Sequence, residues 1–292
     1  MKMTRLLHGL NRKLIILCVM VLGVLAACEK PEIPDTEEKK NLTVSVYQIE
    51  QEDFPALTRA AIADYFGRMN FAVYDSTGTR VKQTNQMRGD KNFGTAGFSL
   101  PQGKYKVVVV AHSSNGNPTM TDMAKIKFEN SDGFTDTFIS YDSVEIADAS
   151  VNLPVKIRRI STLCRFVLTD TIPSGVSKMR FMYTGGSGAF NAATGLGSVN
   201  SKQSEFFTVE AGRDSTSFDL YTFLHDKEGT IHVQATAYDG KDDVLNDRTF
   251  DIPLKRCKIT KVSGPYFNTA SSSITILIDF NPEWDGVDEI SF

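Results

Sequence analysis

The chain has 292 residues, 41% of them apolar, with 32 basic and 35 acidic side chains and a formal net charge of −3. Charge so mixed and so near balance offers no electrostatic case for nucleic-acid binding. The apolar share is enough for a packed core, and the length behind an N-terminal leader leaves room for two domains of ordinary size.

Lys2, Arg5, Arg12 and Lys13 precede a continuous apolar run over residues 14–27 (LIILCVMVLGVLAA). The run fits an export-signal core of about 7–15 residues and is shorter than the ~20 needed to span a bilayer as a helix. Ala26 and Ala27 are small, as a signal peptidase slot requires, and Cys28 follows at once. Leu25-Ala26-Ala27-Cys28 resembles a bacterial lipobox, with signal cleavage between Ala27 and Cys28 and lipidation of the Cys28 thiol. A plain secretory signal with an incidental cysteine is the alternative. Each buried CH₂ of an acyl chain contributes about 0.8 kcal/mol, and several chains on one cysteine hold a protein to a membrane where a single chain does not. Residues 1–27 therefore read as signal peptide.

Residues 28–41 read as a flexible tether, polar and interrupted by Pro31 and Pro34. Residues 42–49 (LTVSVYQI) alternate Leu42, Val44 and Val46 against Thr43, Ser45 and Tyr47, a strand signature. Residues 51–66 break the pattern at Pro55. Leu57-Thr58-Arg59-Ala60-Ala61 reads as an exposed segment open to a trypsin-like protease after Arg59.

Further strands are expected at 69–74, 79–82, 96–100, 104–111, 137–141, 143–147 and 151–157, with one helical turn at 119–124. The valine run at 104–111 (KYKVVVVA) reads as a central strand. A second set follows at 163–168, 178–183, 205–209, 217–224, 230–238, 248–254, 257–262 and 273–280. Turn signals such as Pro173-Ser174-Gly175, Asp239-Gly240 and Gly264-Pro265 punctuate it. Strands recurring every ~8–12 residues with almost no helical periodicity predict an all-β protein of antiparallel sandwiches. A boundary near Arg158-Arg159 divides an N-terminal sandwich domain (42–157) from a C-terminal one (158–292). No short internal repeat is visible.

Candidate chemistry is sparse. The glycines of Gly185-Gly186-Ser187-Gly188 and Gly195-Leu196-Gly197 lack the Lys-Ser/Thr and helix of a phosphate loop, and a flexible surface loop is expected. Asp239, Asp242, Asp243 and Asp247 cluster without the ligand order or closing Glu of an EF-hand, at a hairpin where Asp serves turn geometry. His112, His225 and His232 show neither zinc spacing nor a nucleophile elbow. Arg88-Gly89-Asp90 is an integrin-type tripeptide of a kind that arises by chance. No metal, cofactor or enzymatic activity is expected. In the body, Cys164 alternates with Phe166 and Leu168, and Cys257 with Ile259. An exported compartment allows a disulfide between Cys164 and Cys257. Two separate buried thiols are the simpler account, because spacing alone does not show contact.

The order of these parts resembles the fimbrillin-type subunits of outer-membrane fimbriae, in particular their anchoring and accessory subunits. The carriers are the lipobox at Leu25 to Cys28, Leu100-Pro101-Gln102-Gly103-Lys104-Tyr105 before the valine strand, and LPVKIRRISTLCR at residues 153–165. They continue through Thr171-Ile172-Pro173, the Gly-rich stretch, IPLKRCKIT at residues 252–260, Gly264-Pro265-Tyr266-Phe267 and a last strand before Trp284-Asp285. Cys257 departs from the pattern, where a polar residue is expected.

The resemblance implies two tandem transthyretin-like sandwiches in a lipoprotein lodged in the outer membrane and exposed at the cell surface. Its partners would be other fimbrial subunits, with host surface proteins or glycans beyond them. In polymerising members the first strand is lost by cleavage after an arginine, and a neighbour's strand fills the groove; Arg59-Ala60 is the matching position. Uncut, the chain is the lipid-anchored base or accessory subunit; cut, it is a stalk or tip subunit. The alternative from another class is a surface glycan-binding lipoprotein. That would need an exposed aromatic platform, whereas Trp284 is the sole tryptophan and Tyr65, Phe66, Phe206 and Phe207 read as core or edge residues.

Overall fold

Alternating and fully apolar segments emerge as strands throughout. The structure is a computed structural model that describes residues 39–50, 63–268 and 275–279. The first half runs β1 (Leu42–Ile49), β2 (Arg68–Tyr74), β3 (Arg80–Met87), β4 (Thr95–Phe98), β5 (Gly103–His112), β6 (Ile126–Lys127), β7 (Phe138–Ile146) and β8 (Val151–Arg159). The second runs β9 (Thr162–Leu168), β10 (Lys178–Thr184), β11 (Ala189–Phe190), β12 (Gln203–Thr208), β13 (Thr216–Thr222), β14 (Glu228–Tyr238), β15 (Val244–Lys255), β16 (Ile259–Gly264) and β17 (Thr275–Asp279).

In the first half the strands follow one another as β3-β2-β5-β7-β8-β1-β4. β7 and β8 touch only at Phe138 with Arg159 and Ile139 with Arg158. Beyond those pairs they diverge, so β3-β2-β5-β7 and β8-β1-β4 face each other across one apolar core. Leu42, Val44, Val46 and Ile49 of β1 meet Phe71, Val107 and Val109 there. The second half repeats the plan, with β12-β10-β14-β15 opposed to β13-β9-β16-β17. β1 corresponds to β9, β2 to β10, β5 to β14, and β8 to β16. In both halves the first strand lies between an antiparallel neighbour and a parallel one, β4 and β8 in the first and β13 and β16 in the second. The sandwiches are therefore antiparallel except for one parallel pair in each half. The repeat is one of topology, invisible as sequence because each strand needs only alternation in register.

The valine run is central, as its composition predicts: β5 lies between β2 and β7. Its two faces serve different cores. Val107 and Val109 enter the first core, while Val108 and Val110 enter a cluster with Phe128, Ile160, Phe190 and Phe223. That cluster joins the two halves. Phe190 and Phe223 meet edge to face at 4.9 Å between ring centres. β6 from the first half pairs with β11 from the second, Ile126 opposite Phe190. The described residues from Lys40 onward belong to one compact unit.

Three local expectations change. Residues 137–147 hold one strand, β7, rather than two. No helical turn forms at 119–124. Thr119 bridges to Lys127, and Asp122 Oδ1 accepts the Ala124 N–H at 2.8 Å, so the segment closes an Asx turn instead. The Gly-rich stretch is not a surface loop, since residues 186–190 are buried. A Cβ on Gly186 would lie 2.0 Å from Thr222 Oγ1, so the residue is glycine for close approach rather than for mobility.

Candidate functional site

The feature the geometry singles out is β1 and the slot it fills. Leu42, Val44, Val46 and Ile49 are each 5% exposed or less. The inward phase slips between Val46 and Ile49, and a bulge between Val46 and Gln48 in the pairing with β8 absorbs the slip. Ile49 is thereby returned to the core, while Tyr47 stays outward, with Lys156 Nζ 5.9 Å from its ring centre. Full burial of such side chains contributes roughly 1.5–3 kcal/mol each, so β1 supplies roughly 6–12 kcal/mol as an upper bound. That matches the whole stability of a typical domain, so the slot does not stay empty.

Both ends of β1 are tied. Asn41 Nδ2 donates to Leu100 O at 2.8 Å and Asn41 Oδ1 accepts from Leu100 N at 3.0 Å. The Asn41 carbonyl accepts from Val151 N at 2.8 Å. Asn41, read from sequence as the last residue of the tether, is thus part of the sheet. At the far end Glu50 N donates to Ile157 O at 2.8 Å.

These two contacts place the odd-numbered backbone groups of β8 toward β1. The even ones, at Asn152, Pro154 and Lys156, face away. Pro154 lacks an N–H, and Lys156 is exposed and charged. Both discourage strand addition on that edge, so the place for a strand in this sheet is the β1 slot.

The residues singled out by sequence do not converge. Ala27, Cys28, Arg59, Ala60 and Trp284 lie outside the described residues. Cys164 and Cys257 are buried thiols and are not bridged, so the allowed disulfide is absent. Cys164 sits inside the second core, and burial raises its thiol pKa far above the usual range. Cys257 lies in a turn at φ 58°, not on a strand face, and its Sγ donates to Arg159 O at 3.2 Å.

His112 is buried at the junction between the halves. Its Nε2–H donates to Asn70 Oδ1 at 2.8 Å, while Nδ1 accepts from Ser114 N at 3.1 Å. Burial, aided by the Arg68 charge, pushes its pKa down to about 3. His225 bonds Gly197 O, and His232 bonds Asp251 on an exposed face. The Arg-Gly-Asp charges are used internally: Asp90 Oδ2 accepts from Met87 N at 2.9 Å within the turn, and Arg88 Nε reaches back to donate to Phe66 O at 3.1 Å. Asp239 accepts from the Lys241 and Asp243 amides, Asp242 pairs with Lys178, and Asp247 receives Gln234 and Thr236. Among the described residues no three metal-binding side chains gather at one place, and no helix is long and apolar enough to cross a membrane.

Two features carried no sequence signal. Glu205 of β12 points into the second sandwich, where it accepts from Tyr183 Oη at 2.7 Å, and burial raises its pKa to about 7. Phe206, read from sequence as a core or edge residue, is 61% exposed on the outer sheet face.

No curated protein matches the sequence. Among solved structures, the chain is similar to a candidate adhesin from Bacteroides ovatus, at 15% identity over 74% of this chain and 84% of that one, with a TM-score of 0.49. It is similar to a candidate cell adhesion protein from the same species, at 13% identity over 82% and 96% of the two chains, TM-score 0.48. It is also similar to the fimbrial anchor protein Mfa2 from Porphyromonas gingivalis, at 11% identity over 81% and 94%, TM-score 0.45. The sequence model of the family of unknown function (DUF6562) matches residues 34–292, and the chain belongs to that family.

Proposed function

We propose that the chain is a structural subunit of an adhesive cell-surface fimbrium, the lipid-anchored base or accessory subunit, and not an enzyme. The observation that carries this is the β1 slot: an N-terminal strand sealed by four apolar side chains between β4 and β8. An open slot exposes unpaired backbone groups and apolar pockets together, and a strand from a neighbouring subunit satisfies both. The segment after β1 contains Arg59, and the strand itself lies between that residue and the acylated Cys28. The chain therefore holds a fibre to the outer membrane only while residues 28–60 stay continuous. Cut after Arg59, the same chain would leave its lipid behind and enter the fibre as a stalk or tip subunit. Host surface proteins or glycans are the partners beyond the fibre.

The test is Cys28→Ser in the producing cell. Loss of the protein from the membrane fraction, together with release of whole fibres into the medium, is the expected result. Unchanged membrane retention of both rejects the lipid-anchored role.

A further inference from the structure

Two guanidiniums stand together without a counter-ion where the halves meet. Arg158 follows Ile157 on β8, and because Ile157 faces the first core, Arg158 points away from it. Its neighbour Arg159 is ion-paired with Asp136. Arg256 lies in the turn between β15 and β16, and its Nη2 donates to Thr194 O at 3.0 Å. Both guanidiniums close over the α-carbon of Gly195. A Cβ built there would lie 2.7 Å from Arg256 Nη2 and 3.1 Å from Arg158 Nη1, and the φ of +69° also calls for glycine. The Arg158 guanidinium makes no hydrogen bond or ion pair among the described residues, and its nitrogens are open to solvent. In Arg256, Nε is closed off without a partner, while Nη1 is open. Burial lowers the Arg158 pKa and the Arg256 charge lowers it further, with Cys257 and Glu50 in opposition. Like charges brought together and partly desolvated cost free energy that a counter-ion between them offsets.

We propose that Arg158 and Arg256 form a binding site for one phosphate group, carried as inorganic phosphate or as a phosphate monoester. Such a group has a charge of about −1.5 to −2 at pH 7 and three strong acceptor oxygens. It therefore neutralises both guanidiniums and accepts from each. A carboxylate has one charge and two oxygens, which match a single guanidinium fork and leave the second cation uncompensated. Thr194 O holds Arg256 in place before the anion arrives, which reduces the ordering that binding requires. Two cations with Glu50 close by do not make the broad basic surface that a nucleic acid or an anionic bilayer needs. The site lies outside the β1 slot and stands or falls independently of strand addition.

The experiment is calorimetric titration of the full chain in detergent, at fixed ionic strength, with inorganic phosphate, glucose 6-phosphate and acetate. Saturable binding of phosphate or its ester is expected, with acetate weaker by about tenfold or more. A tighter ester identifies a phosphate carried on a larger molecule, and a tighter inorganic ion a free one. Arg158→Gln and Arg256→Gln each weaken binding by about tenfold or more. Lys156→Gln, exposed on the same strand, leaves it unchanged. In phosphate-free buffer Arg158→Gln relieves a repulsion, so its unfolding midpoint is expected at or above that of the wild type, which separates loss of the site from loss of the fold. No phosphate binding, acetate bound as tightly, affinity unchanged in both arginine variants, or a lowered midpoint for Arg158→Gln would each overturn the proposal.

Discussion

Asn41 and Leu100 are joined twice, side-chain amide to main chain, at 2.8 and 3.0 Å. This side-chain clamp lies just beyond the ladder between β1 and β4, whose first pair is Leu42 with Phe98, at the point where a polar tether becomes a buried strand. Asn41→Ala leaves both backbone groups of Leu100 without their partner. A loss of about 1–3 kcal/mol is expected in urea unfolding, with faster amide exchange across β1 than across β5.

Within β1 itself, burial separates two neighbouring kinds of position. Leu42→Ala removes a side chain that is 0% exposed and should cost about 2–5 kcal/mol. Tyr47→Ala, on the outward bulge, should change stability by no more than about 0.5 kcal/mol beyond its contact with Lys156. Equal losses from the two would mean that β1 is not seated as described.

Much of this arrangement is legible in the sequence, because alternation at Leu42, Val44 and Val46 and the unbroken run at Val107 to Val110 each dictate a strand and its burial. Ile49 is not legible in the same way: it is out of phase, and only the pairing with β8 reveals the bulge that returns it to the core. The glycines at 185–188 mislead because composition does not separate a glycine kept for mobility from one kept for close packing. Cys257 looks like a strand residue beside Ile259, but its positive φ places it in the preceding turn. The exposed face around Phe206 is hidden for a simpler reason: in Phe206-Phe207 two identical residues face opposite ways, and only the register says which is outside.

Gly185 tests the packing account of the glycine stretch. It has φ +89°, and an added Cβ would lie 2.2 Å from Thr230 O. Gly185→Ala should cost about 1–3 kcal/mol from backbone strain alone. Gly240→Ala, with nothing within 4 Å of its Cβ, is the control and should stay near wild type. A thermal melt of the two variants decides it.

His112 and Glu205 give stability opposite slopes with pH. The folded pKa of His112 is depressed from 6.5 to about 3, so its unfolded form binds the proton first, and stability falls as pH drops from about 6.5 toward 3. The folded pKa of Glu205 is raised from 4.5 to about 7, so its contribution is full below pH 4.5 and is lost as pH rises through about 7. His112→Gln should flatten the acid side of the stability profile, and Glu205→Gln the neutral side. Chemical denaturation of each variant from pH 4 to 8 measures both slopes. A profile unchanged by either substitution would contradict the burial of these groups.

The most direct test of the anchoring role is the mature N-terminus of the chain recovered with sheared fibres and with membranes. The account predicts an acylated, blocked Cys28 in the membrane fraction, with β1 still attached to the body. A fibre-borne chain beginning at Ala60 would contradict it.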